Sequence, residues 1–196
     1  MKKILLTTLL AVVVSSGSSN HWLTAASASS FMAKGDPAAN SPTLYTAYTL
    51  WYDKPKKMSS INYHSGAIIP AGTAVVSVTR HGKTIKFKLA GEGGAFSMQF
   101  IPKFHPGVSV EAFTKRLFVP EPLEERIKQF SEEEKALIRK GAVEDGMSKE
   151  AVLISWGPPP EHQTPSTTAS SWIYWRNRFM KQAVDFDQNG KVVNTR

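Results

Sequence analysis

Cysteine is absent from all 196 residues. Its absence excludes disulfides and thiol catalysis, and it excludes a bacterial lipoprotein anchor, which needs a cysteine at the cleavage site. A hydrophobic core, rather than cross-links, must then hold the fold. Also missing are a Gly-x-Ser-x-Gly elbow, a Walker loop and a dinucleotide fingerprint, so the common sequence signatures of hydrolases, nucleotide enzymes and dehydrogenases do not apply. Acidic residues are scarce, 16 against 24 Lys and Arg, for a net charge of +8. Long apolar runs are missing with one exception, Ile4 to Val14.

That run follows Lys2 and Lys3 and precedes Ala26-Ser27-Ala28. A charged start, a short apolar stretch and an A-x-A site form the layout of a secretory signal peptide. As a helix the run would be about 16 Å long, against a bilayer core of about 30 Å. The expectation is export with cleavage between about Ser18 and Ala28, leaving no transmembrane span. An exported chain without disulfides points to the bacterial envelope, hence a periplasmic location, with peripheral attachment to the outer membrane left open and lipoprotein anchoring excluded.

Cleavage after Ala28 leaves 22 basic and 16 acidic residues, a net +6. A basic surplus suits nucleic acid or an anionic surface. Export removes nucleic acid, leaving lipid headgroups or other anionic envelope polymers, alongside the alternative that the surplus is merely solvated.

Composition shifts divide the remaining chain. Residues 29–43 are rich in Ala, Ser, Gly and Pro and read as a flexible lead-in. Residues 44–105 carry a β signal: the aromatic run Tyr45 to Tyr52, the turn Pro70-Ala71-Gly72, the β-branched run Thr73 to Thr79 and a hairpin loop over Arg80 to Lys83. The return strand Thr84 to Leu89 alternates Ile85, Phe87 and Leu89 with Lys86 and Lys88, which predicts a basic solvent face continued by Lys83. Residues 106–142 form a helical connector, with Ser109 as a cap, Leu123 and Ile127 at helical spacing, a capping box over Ser131 to Glu134 and Gly141 as the stop.

Residues 143–196 carry the densest pattern. Ser148 caps a helix that Gly157 and the prolines after it must end. Trp172 and Tyr174 share one strand face and Ile173 and Trp175 the other, so one aromatic face lies outside the core. Gln182, Val184 and Phe186 repeat the period, and Asp187 to Gly190 turns the chain into Lys191-Val192-Val193. The expected fold class is α+β: a small N-terminal β domain (an SH3-like barrel or curled sheet), the connector, then a helix over a three-stranded antiparallel sheet.

Asp185 to Gly190 matches the first positions of a calcium loop, but the twelfth position, which should be a bidentate Glu, is Arg196. A cation there opposes a metal, so the stretch reads as a hairpin turn. His64, His81, His105 and His162 fall in no zinc spacing. No catalytic residue, cofactor or metal site is expected.

The order Gly146-Met147-Ser148, the Gly157-Pro158 break, the Trp172-x-Tyr174 strand and Phe186 before the Asn189-Gly190 turn resembles the SmpA/OmlA family. Gly146, Val152, Gly157, Pro158, Trp172, Tyr174, Phe186 and Gly190 match that family's pattern. The resemblance implies helices on a three-stranded sheet that bind macromolecules without catalysis. Ile69 to Val75 is similar to bacterial SH3-like modules. Together these readings lead to a non-catalytic envelope binding or scaffold protein. Its expected partners are an envelope protein complex or an anionic polymer or headgroup, touched through Trp172, Tyr174 and Trp175 and through Lys83, Lys86 and Lys88. A secreted inhibitor module and a wall-associated hydrolase are the alternatives.

Overall fold

The structure, a computed structural model, describes residues 43–91 and 93–196. The export segment and nearly all of the lead-in lie outside the described residues. The rest is α+β, as the sequence pattern predicts, and belongs to one compact unit.

The first part is a curled six-stranded sheet. Its strands are β1 (Leu44–Thr46), β3 (Met58–Ser59), β5 (Ala74–His81), β6 (Thr84–Leu89), β7 (Ala95–Gln99) and β8 (Phe118–Val119), in the order β3-β7-β6-β5-β1-β8. All neighbours are antiparallel except β3 and β7. A bulge in β5, where Ser77 takes φ 55°, breaks the register between Val76 and Thr79 and curls the sheet. The alternation of β6 holds: Ile85 and Phe87 are buried while Lys86 and Lys88 face water. A separate pair joins β2 (Leu50–Tyr52) to β4 (Ala67–Ile69).

Helix α1 (Val110–Leu117) starts where Ser109 Oγ accepts the Ala112 N–H at 3.0 Å and buries Phe113 and Leu117 against the inner face of the sheet. The run around Leu123 forms only one turn, α2 (Leu123–Arg126), yet Ile127 at its end is fully buried. Helix α3 (Glu132–Lys140) begins at Ser131, whose Oγ accepts the Glu134 N–H, and ends at Gly141 in the left-handed region with φ 65°. The capping box itself is a correction. Glu134 does not reach back to Ser131; its carboxylate accepts the N–H of Ser148 at 2.7 Å and so fastens α3 to the start of the next helix.

Helix α4 (Lys149–Ser155) packs on β9 (Ser171–Trp175), β10 (Lys181–Phe186) and β11 (Val192–Thr195), a meander in the order β11-β10-β9. A second core lies between them, built from Val152, Trp172, Tyr174, Val184, Phe186 and Val192. Each large apolar side chain buried there contributes roughly 1.5–3 kcal/mol. Among the described residues no helix is long and apolar enough to cross a membrane.

Side chains distant in sequence stitch the two cores together. His64 stacks among Trp51, Trp156 and Tyr174, with ring centroids 4.2, 4.5 and 5.2 Å away, and its Nδ1 meets the Gln182 amide. Asn62 donates to Thr49 O at 3.0 Å and accepts the Trp51 N–H at 2.9 Å. Tyr174 donates its hydroxyl to Gly157 O at 2.9 Å.

Candidate functional site

The aromatic strand divides as its alternation requires, with Ile173 and Trp175 on the outward face. Trp172 and Tyr174 are 0% and 2% exposed, packed under α4, so the expectation that they form a contact surface is corrected. Their face is the one that α4 covers. Trp175 points to the opposite side and is half-buried, stacked on His162 (centroids 6.1 Å apart) with the Lys181 ammonium 5.0 Å over its ring. Lys83, Lys86 and Lys88 are all exposed on the outer side of the six-stranded sheet, remote in sequence from Trp175.

What stands out instead is the turn between β9 and β10, residues Arg176 to Met180. Asn177 builds it: its side-chain oxygen accepts the N–H groups of Phe179 and Met180, both at 2.9 Å, while Arg176 N–H donates to Met180 O. Asparagine suits such a turn because its short amide competes for local backbone N–H groups. The consequence is that Phe179 projects into water, 89% exposed, beside Met180 at 52%. Arg176, Arg178 and Lys181 flank it, all exposed.

Arg178 also lines a recess of about 270 Å³ with Lys54, Lys57, Asp53 and Tyr63, so a second loop adds cations to the same end of the molecule. Among the described residues none of Lys54, Lys57, Arg176, Arg178 and Lys181 is ion-paired with a carboxylate. An exposed aromatic ringed by unpaired cations is a surface suited to a phase that is apolar inside and anionic at its boundary. Sequence reasoning passed over this turn. The signal was present as Arg-Asn-Arg-Phe-Met-Lys, two large apolar residues in a five-residue hairpin loop where polar residues are the rule.

A second group of residues looks at first like a catalytic relay. His105 Nδ1 lies 2.7 Å from Glu161 Oε2 and His105 Nε2 lies 3.1 Å from Ser60 Oγ. Hydroxyl, imidazole and carboxylate follow one another in the order that nucleophilic catalysis uses. Access decides against it. Ser60 and His105 are each 4% exposed, Ser60 Oγ also accepts the Ile101 N–H at 3.0 Å, and the free space around them is about 10 Å³. A substrate carbonyl has no room. The arrangement is a buried polar lock between the first sheet, the loop before α1 and the loop after α4.

Above that lock is an open cleft of about 770 Å³, bounded by α1, α2, α4 and the proline-rich loop that follows. Arg116 and Glu161 pair across part of it at 2.8 Å, and Arg126 lines another part. Burial raises the Glu161 pKa, but the His105 hydrogen bond, its own backbone N–H and the charges of His105 and Arg116 outweigh it and hold the carboxyl below its ordinary range.

Asp185 and Asp187, the calcium-like pair, are occupied by protein groups. Asp185 binds Arg196 at 2.8 Å and Ser171 at 2.6 Å, and these hydrogen bonds lower its pKa to about 2. Asp187 accepts the N–H groups of Asn189 and Lys191 and so closes the hairpin turn.

No protein-family profile, no curated protein and no solved structure matches the chain.

Proposed function

We propose that this chain is an exported, non-catalytic binding protein of the cell envelope, held in the periplasm and docked on anionic headgroups by the β9–β10 hairpin end. The observation that carries the reading is Phe179, 89% exposed on a turn braced by Asn177 and flanked by Arg176, Arg178 and Lys181. Burying a phenylalanine is worth roughly 2 kcal/mol, and each cation near an anionic surface about 1 kcal/mol. The sum, about 5 kcal/mol for Phe179 and three cations, corresponds to weak, reversible association in the sub-millimolar range. The basic balance of the whole chain and the signal-peptide pattern at its start support the same reading.

A protein complex of the envelope is the second reading. The resemblance of Gly146 to Val193 to the SmpA/OmlA family favours it, because that family's members bind macromolecules. A photo-crosslinking residue in place of Phe179, used in cells followed by fractionation, separates the readings. Crosslinks to lipid in the membrane fraction support headgroup docking. A crosslinked membrane protein supports the complex, and a single soluble enzyme supports an inhibitor module. A fully soluble, uncrosslinked protein removes the tip as a contact surface.

A further inference from the structure

We propose that the cleft beside Arg126 binds an amphiphilic anion, a carboxylate or phosphate head on a short apolar body, with the Arg126 guanidinium as its anchor. The cleft shares no residue with the hairpin tip, so the proposal stands apart from the reading above.

Arg126 Nη2 donates to Ala47 O at 2.8 Å, but Nη1 is buried and has no partner among the described residues. Nor does any carboxylate pair with Arg126 among them. Planar guanidinium donors match carboxylate and phosphate oxygens two at a time, so an incoming anion satisfies the idle N–H groups and the charge together.

The other charges of the cleft do not oppose this. Glu161 is the carboxylate that lines it, and both its oxygens are in use, Oε1 by Arg116 at 2.8 Å and Oε2 by His105 at 2.7 Å. Arg126 is thus the lining cation without an ion pair among the described residues, and the Glu121 carboxylate acts on it from outside the lining. The walls decide what the anion must carry. Val108, Val119, Leu153 and Pro158 present an apolar surface, and the volume falls within the range of about 300–1,000 Å³ typical of small-molecule sites. A bare phosphate would leave that surface wet. Pro158, Pro159 and Pro165 restrict the backbone of one rim, so little ordering is needed on binding.

The test is an amide-resolved NMR titration of the full chain with octanoate, octyl phosphate, octanol and inorganic phosphate. Saturable shifts of the Val108, Val119 and Leu153 amides are expected with octanoate or octyl phosphate, at least about tenfold tighter than with octanol. Comparison of the two octyl anions tells which head is preferred, and either preference supports the site. Arg126→Gln should bring octanoate down to the octanol level. Should that variant fail to fold, Leu153→Asp, which places a negative charge on the wall and leaves Arg126 in position, should abolish octanoate binding. Octanol binding as tightly as octanoate, inorganic phosphate binding alone, or unchanged octanoate affinity in Leu153→Asp would each overturn the proposal.

Discussion

His105 and Glu161, 56 residues apart, meet at 2.7 Å, and the other imidazole nitrogen of His105 reaches the hydroxyl of Ser60. These contacts join two of the segments that the sequence separates by composition, 44–105 and 143–196, and do so with largely buried polar groups. Such groups destabilise heavily when one partner is removed, because the others stay buried and unsatisfied.

Ser60→Ala should therefore cost about 1–3 kcal/mol in urea unfolding, since both the Ile101 N–H and His105 Nε2 lose their partner. The same geometry yields a chemical prediction. A fluorophosphonate serine probe should leave Ser60 unlabelled in the native protein. Rapid labelling at Ser60 would show that the lock is an open relay after all.

Stability should fall in acid, and His64 should set much of the slope. Walled by Trp51, Trp156 and Tyr174, it is held neutral, and burial pushes its pKa down to about 3. In the unfolded chain a histidine takes up its proton near pH 6.5 (about the reference value). Between those values the unfolded state binds more protons, so stability is complete above about pH 6.5 and is lost as pH falls toward 3, by at most about 1.4 kcal/mol per pH unit. Glu161, with its pKa lowered on folding, adds loss in the same direction at lower pH. His64→Phe should flatten the dependence of the urea midpoint between pH 6.5 and 4.5. An unchanged slope in that variant would assign the acid sensitivity elsewhere.

Gly157 takes φ 82°, and a Cβ there would come within 2.5 Å of the Tyr48 ring. Gly157→Ala should destabilise by about 2 kcal/mol or more, from the left-handed backbone and the collision together. Thermal unfolding measures it; a melting temperature equal to that of the wild type would contradict the close packing of Tyr48 on this turn.

Much of the fold could be read from the sequence where one physical cause dominated. The alternation in Thr84 to Leu89, the serine caps at 109, 131 and 148 and the glycine stops at 141 and 157 are local signals, and each structure they specify is formed locally. Glu134 went astray because two N–H groups compete for its carboxylate, and the winner, Ser148, is fixed by tertiary packing. Trp172 and Tyr174 went astray for a related reason. Alternation tells that two faces exist but not which one α4 will cover. The His105–Glu161 contact and the Arg126 cleft are assembled from distant segments and leave no mark in local sequence.

The lysines of the six-stranded sheet provide an internal comparison. Lys83, Lys86 and Lys88 are exposed and carry the same charge as the hairpin tip, but no large exposed apolar residue is among the strand neighbours of β6. Lys86→Glu with Lys88→Glu should change stability by less than about 0.5 kcal/mol and should weaken headgroup binding less than charge reversal at Arg176 and Arg178. An equal loss in the two double variants would extend the contact surface to the sheet.

Docking of the β9–β10 hairpin end on anionic headgroups can be measured by flotation with vesicles. Wild-type protein should float with phosphatidylcholine vesicles containing phosphatidylglycerol, should bind less as salt rises, and should stay behind with pure phosphatidylcholine. Phe179→Ser, and Arg176→Glu with Arg178→Glu, should each weaken binding at least about tenfold without changing the unfolding midpoint. Equal binding to both kinds of vesicle, or tip variants that float as the wild type does, would contradict the account.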